Sequence, residues 1–559
     1  MGGAVITKLP CGLKVTTAAA MFVLGSCALG AESGTTTGKV PAASARAEIH
    51  LDTARIRAHV EYLTSDRLEG RRPGGRGGDL AADYIAKQFA SYGLDPAGDD
   101  GTYFQKIPMV EVTTLSETSF TVVDTSLQTV ALRNLEDFVA NNQSQAESSY
   151  LDAPIVFLGY GIQAPENQWD DYKDADLSGK VVLLLAGTPR SGAPGVFSGR
   201  SATDYGGWAY KFETAARHGA LGALLIQPID MAGDGWQAIR DSWGMRRAYL
   251  QPDTTPRLQA ASWLRSEAAG KLTALAGLDL GQLSEQAQSR EFRPKELALR
   301  LQAHLASRVR PFMARNVLAV RLTYGSESEE AVLYTAQYDH SGVEPTVKGH
   351  LYKGAVDDAA GCGVLLEVAR AWARTGPAPP RMILFAALTA EEQGLLGSQY
   401  LVKHLPVLPG KVTLALNYDG FPPPGEREEL VVSGAERTTF FPAMEVTAKA
   451  LGFTIRPDPS PEEGSYYRSS PINLARAGVP AFTIAGGERF ATEHHVAEVN
   501  FTGAAKFGTL GYQLGAKASA LPGLLGWVPG DAFEAERRRS QSAEQLSRKP
   551  PLRLGKRKK

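Results

Sequence analysis

Cysteine is almost missing from this chain: Cys11, Cys27 and Cys362 are all that its 559 residues contain. That excludes a disulfide framework as the basis of stability, and Cys362, inside an apolar helical stretch, reads as ordinary core. Net charge is also missing, with a formal value of -1, so no bulk electrostatic force draws the chain to nucleic acid. No apolar run is long enough to span a bilayer comfortably; Val15 to Leu29 is too short. What remains is a soluble globular profile, 43% hydrophobic and 21% charged, with enough length for two or more folded units.

The two ends differ from the middle. Lys8 and Lys14 before the apolar run form an export signal, expected over residues 1–31. Leu24-Gly25-Ser26-Cys27 has the pattern of a bacterial lipobox, which implies a lipid anchor on Cys27; cleavage after Ala28-Leu29-Gly30 is the competing possibility. Either places the protein outside the cytoplasm, in the periplasm or cell envelope or secreted, with membrane contact only through that anchor. Residues 32–50 read as a linker, rich in Ser, Thr, Gly and Ala. From Arg537 through Arg548 to Lys559 the chain is basic and poor in large apolar side chains, so 521–559 is expected to be a disordered, solvated tail.

Between these ends the periodicity changes twice. Residues 51–149 begin with helical segments carrying Ile56, Val60 and Leu63, then Leu80 to Tyr92 closed by Gly93, around a Gly/Arg-rich loop at 69–78. Residues 150–290 contain short apolar strands at Ile155–Leu158, Val181–Leu185 and Gly222–Ile226 with a helix near Lys211–His218, the texture of a small inserted α/β module. Residues 291–520 alternate strands (Asn316–Leu322, Ala331–Ala336, Met382–Ala387, Val412–Leu416, Leu430–Val432, Ala481–Ile484) with helices such as Cys362–Arg374 and Phe441–Leu451. That alternation predicts an α/β fold, a doubly wound mixed sheet with helices on both faces.

In such sheets ligands gather beyond the carboxyl ends of the strands. There the sequence places Gln337-Tyr338-Asp339-His340, then Asp357-Asp358 opening a helix, Glu391-Glu392, Asn417-Tyr418-Asp419, and Glu493-His494-His495 near the end. Each alone is unremarkable, since Asp-Asp caps helices and Glu-Glu pairs sit on surfaces. Together they are acids that appear where apolar strands stop. Converging carboxylates repel and call for a cation, and with imidazole added the natural guest is zinc or a similar divalent ion.

These stretches resemble the metallopeptidase family of di-zinc aminopeptidases, glutamate carboxypeptidase and the transferrin-receptor ectodomain. The most specific are Gly354-Ala-Val-Asp-Asp-Ala-Ala-Gly361 and Thr389-Ala-Glu-Glu-Gln-Gly-Leu-Leu-Gly397. Trp169-Asp-Asp-Tyr172, Ser178-Gly-Lys-Val-Val182 and Ala215-Ala-Arg-His-Gly219 resemble the protease-associated domain that many members carry. The resemblance implies that Asp357 bridges two metals, Glu391 is the general base, Glu392 binds one metal and Asp419 the other. It implies His494 as the last ligand, with His495 the alternative, and Tyr466 as the donor to the tetrahedral oxyanion.

The pattern is broken in three places. The family's first ligand is a histidine, but Ala336-Gln337-Tyr338-Asp339-His340 puts Gln337 there, a much poorer zinc ligand, while Asp339, its orienting partner, remains. His340 also occurs in family members, which do not use it. Ser469-Ser470-Pro471 replaces a common Ser-Asp-His, and the terminal motif is reduced to His494-His495-Val496-Ala497-Glu498. The losses fall on one metal: Asp357, Asp419 and Gln337 make a weak site, Asp357, Glu392 and His494 a strong one. The expected function is a zinc aminopeptidase acting on peptide N-termini. Two alternatives stand beside it: a non-catalytic binding protein on the same scaffold, and a single-zinc acyl transferase resembling glutaminyl cyclases. The inserted module is placed to serve as a lid or as a contact for a partner, a second copy in a homodimer included.

Overall fold

The computed structural model describes residues 49–190, 197, 205–227, 234–243, 246–252, 255–323, 329–343, 351–374, 376–420, 429–457, 465–485 and 496–542. The export signal with Cys27, most of the linker, His494, His495 and residues 543–559 lie outside them. Among the described residues no helix is long and apolar enough to cross a membrane.

The strands Ala481–Ile484, Val412–Tyr418, Ala331–Gln337 and Met382–Leu388 lie side by side in that order, all parallel. Met382–Leu388 then pairs antiparallel with the end of a 27-residue strand, Lys295–Arg321. The central strands are apolar along their whole length because both faces are covered. Val332, Tyr334 and Ala336 turn to one core, packed under the helices Thr53–Leu63, Arg76–Tyr92, Ala360–Arg374 and Phe501–Ala520. Ala331 and Leu333 turn to the other, which includes Leu401 and Leu474 from the helices Leu396–Lys403 and Pro471–Arg476. Gly93 ends the Arg76–Tyr92 helix in the left-handed conformation, φ 82°, that glycine adopts without strain.

A second sheet runs Ser148–Phe157, Val181–Leu185, Gly222–Ile226, Ala260–Leu264 and Phe138–Asn142, with a separate core on each face. Lys295–Arg321 joins the two sheets. Its first half pairs with Ser119–Asp124 and Ser148–Phe157, its second with Phe104–Thr114 and Met382–Leu388. The module read from the sequence as 150–290 thus completes its sheet with strands from both sides of that range. Those outer strands alternate polar and apolar residues, so they lack the continuous apolar runs that mark the inner ones.

The expectation of a disordered tail from residue 521 is corrected over residues 521–542. Trp527 is buried, Arg437 and Asp531 form a buried bidentate pair (2.8 and 3.0 Å), and Arg537 is 3% exposed and donates to the Leu525 carbonyl. Composition misled because arginine can be buried when its fork finds carboxylate and carbonyl partners.

Candidate metal centre

Strand register brings the acids together. Gln337 is level with Leu388, at the head of the turn that carries Glu391 and Glu392. Thr335 is level with Asn417, so Asp419, two residues on, emerges beside Gln337. Asp357 and Asp358 enter from the turn before Ala360–Arg374, joined by a cis peptide bond. Beside Glu391 the backbone is strained: Ala390 has φ 58°, a left-handed conformation uncommon outside glycine. At Gly361 a Cβ would lie 2.3 Å from the Asp358 carboxylate, so only glycine fits there.

Gln337 stands among the carboxylates. Its Nε2 donates to Asp357 Oδ1 at 3.1 Å and to Glu392 Oε1 at 2.8 Å, linking the two residues expected to share the stronger metal. A carboxylate offers about four lone-pair sites, so this amide takes one on each. Asp339 is fully buried; its Oδ1 accepts from the Glu391 backbone at 3.2 Å, and its Oδ2 has no hydrogen-bond partner. Burial, then the charges of Glu392 and Glu391, push its carboxyl well above the usual range. Asp358 is raised likewise by burial, then by Asp419 and Asp357. This mutual repulsion is what a bound cation relieves.

Glu391 is 4% exposed and held on three sides: Ser398 donates from its backbone (2.6 Å) and hydroxyl (2.9 Å), and Ser470 from its hydroxyl (2.7 Å). Burial raises its carboxyl to about 7; the Ser470 and Ser398 hydrogen bonds oppose the rise, and Asp419 adds to it. Tyr466 is placed differently from the oxyanion role that the resemblance implies. The ring packs with Ile472, Ala475 and Trp527, and its hydroxyl donates to the Ala481 carbonyl at 3.1 Å. The motif fixed its position in the chain but not the direction of its hydroxyl.

Three supporting residues escaped the sequence reading. Ser470 was visible only as part of a departure, and Ser398 carried no signal at all. Arg71 lies in the Gly/Arg-rich stretch, at the end of the short turn Asp66–Arg71, where Glu69 (φ 48°) and Gly70 (φ 68°) leave the helical conformation. It is wholly buried and donates to four backbone carbonyls: Leu63 (2.6 Å), Tyr338 (2.7 Å), Lys353 (2.7 Å) and Gly354 (3.1 Å). It staples the Tyr338 loop to the turn that presents Asp357, and its charge faces Asp339, Asp358 and Asp357.

Among the described residues no three His, Cys, Asp or Glu side chains converge as a complete metal site. The donors that are placed still suit a divalent cation: two carboxylates meet at one amide, and a buried, unpartnered His340 Nδ1 stands 3.7 Å from Glu392 Oε1.

Residues 316–503 match Peptidase family M28. A probable zinc metalloprotease of Leptosphaeria maculans is 36% identical over 116 residues, 21% of this chain and 26% of the relative. Leupeptin-inactivating enzyme 1 of Streptomyces exfoliatus is 40% identical over 75 residues, 13% of this chain and 17% of that enzyme. The chain therefore spans about a quarter or less of these curated relatives. The fold is similar to that of the aminopeptidase from Aneurinibacillus sp. strain AM-1, with a TM-score of 0.50 and 17% identity over 86% of this chain and 97% of that one. The carboxylates at the strand ends all fall within residues 316–503, the segment that matches Peptidase family M28.

Proposed function

We propose that the chain is a zinc-dependent aminopeptidase in which Glu391 is the general base. The observation that carries this is Glu391 itself: a carboxylate 4% exposed, raised to about 7 and aimed by two serines, beside the Glu392–Gln337–Asp357 linkage. A base serves best with its pKa near the working pH. Asp357, Glu392 and His494 would hold zinc, with Asp357, Asp419 and Gln337 a weaker second position. When bound, zinc lowers the pKa of a water and polarises the scissile carbonyl.

The remaining work falls to the chain. Glu391 takes the proton from the attacking water and returns it to the departing amine, while Ser398 and Ser470 fix the angle of its carboxylate. Arg71 holds the two ligand-bearing loops in register. The acids Asp357, Glu392 and Asp419 gather negative charge at the strand ends, and its natural partner in a peptide is the cationic α-amino group. That supports cleavage at the N-terminus rather than within the chain.

A second reading rests on Gln337. An amide nitrogen between Asp357 and Glu392 bridges both carboxylates without metal, as in a binding protein that keeps the scaffold and not the chemistry. Replacing Glu391 with Gln separates the two. The aminopeptidase reading expects hydrolysis of aminoacyl substrates to fall by at least about 100-fold with the circular-dichroism spectrum and melting temperature kept. Full activity in that variant overturns the mechanism; no hydrolysis by the wild type with zinc supplied leaves the binding role.

A further inference from the structure

Position 337 cannot supply an imidazole, yet one is present three residues on. His340 leaves the same strand as Gln337, and its Nδ1 is buried with no hydrogen-bond partner. An imidazole nitrogen removed from water without a partner is costly, so its orientation needs a reason. It stands 3.7 Å from Glu392 Oε1, the oxygen that accepts from Gln337 Nε2 at 2.8 Å. That gap is too long for a hydrogen bond. It matches the spacing of two donors on one ion: with zinc–nitrogen and zinc–oxygen bonds of about 2.1 Å at a tetrahedral angle, they lie roughly 3.4 Å apart.

The ring is also held in place. Gly354, at φ 53°, passes so close that a Cβ there would lie 2.7 Å from His340 Cγ and 2.8 Å from Cδ2. Tyr352 meets the ring edge-on, with centroids 6.3 Å apart at 73°. Gly354 is itself fixed through its carbonyl by Arg71. The histidine is thus seated by backbone, and its free nitrogen is directed to the acids.

We propose that His340 is a metal ligand of this chain, adding an imidazole to the ion held by Glu392. The proposal rests on the metallopeptidase reading above and deepens it. It asks for a divalent cation of the zinc class, bound through one carboxylate oxygen and one imidazole Nδ1, with Gln337 hydrogen-bonded to the carboxylate.

Cobalt(II) titration of the full chain, stripped of metal, tests it by absorption spectroscopy. His340→Ala is expected to weaken cobalt and zinc binding by about 10-fold or more and to change the visible cobalt spectrum, with circular dichroism unchanged. His340→Cys is expected to gain a thiolate-to-cobalt charge-transfer band, a signal that appears only if position 340 touches the ion. If the alanine variant does not fold, the presence or absence of that band decides. Wild-type affinity and spectrum in His340→Ala, with no such band in His340→Cys, overturn the proposal while the peptidase reading stands. Conversely, full hydrolysis by Glu391→Gln defeats the peptidase mechanism and leaves ligation by His340 intact.

Discussion

A carboxylate buried in protein reverts to its acid form unless donors or cations hold its charge, and Glu391 shows both tendencies at once. Burial raises it to about 7, while Ser398 and Ser470 pull the other way. Ser470→Ala removes one charge-assisted hydrogen bond, so kcat is expected to fall about 10-fold, equivalent to roughly 1–2 kcal/mol. The melting temperature should stay within a few degrees of wild type; an unchanged kcat would show that the Ser470 hydroxyl does not steer the base. Arg71 makes the opposite prediction, structural first. Arg71→Met leaves four buried carbonyls without their donor, and urea melts are expected to show a loss of at least about 3 kcal/mol. Arg71→Lys restores the charge but not the fork, and recovers only part of the loss; equal stability of all three proteins would contradict the stapling role. The sequence made the acids legible because they occur where apolar strands stop. It did not reveal Ser398, Ser470 or Arg71, which reach the site through space from helices and turns with no periodic signature. Nor did it show the aim of the Tyr466 hydroxyl, which the distant Ala481 carbonyl sets.

Among the elements, the Thr53–Leu63 helix carries a titratable group in its buried face. His59 Nδ1 lies 2.7 Å from the Tyr84 hydroxyl and Nε2 lies 3.2 Å from that of Tyr92. Burial lowers its pKa to about 4; Glu367 opposes this, and Arg55 and Arg370 add to it. The folded state therefore prefers the neutral ring, and the unfolded chain binds the proton more tightly. Stability from this residue is fully present above pH 6.5 and drains away as pH falls from 6.5 toward 4, by at most about 3 kcal/mol. Melting temperature against pH should show that slope in wild type and a shallower one in His59→Gln; parallel curves would remove His59 as the cause. The central strands and helices were legible because each is covered on both faces or amphipathic at helical spacing. The outer strands of the second sheet, and the ordered segment at 521–542, were not. Their stability comes from partners far along the chain, such as Arg437 for Asp531, and no local pattern announces such a pairing.

At the scale of the molecule, two sheets with separate cores share one long strand, and the acids lie at the end of only one of them. The strands Val181–Leu185 and Gly222–Ile226 of the second sheet were visible in the sequence as short apolar runs. Its edges were not, because Lys295–Arg321 serves both sheets without a break in its pattern. The central proposal for the whole molecule is a metal centre reduced on one side by Gln337 rather than an acid cluster satisfied by its amide. The most direct measurement is the zinc content of the purified full chain and of Gln337→His, with aminopeptidase activity followed in both. About one zinc per chain is expected in wild type, rising toward two in the variant with a gain in activity. Less than about half an equivalent of zinc in both proteins, after dialysis against the metal and without hydrolysis, would contradict it.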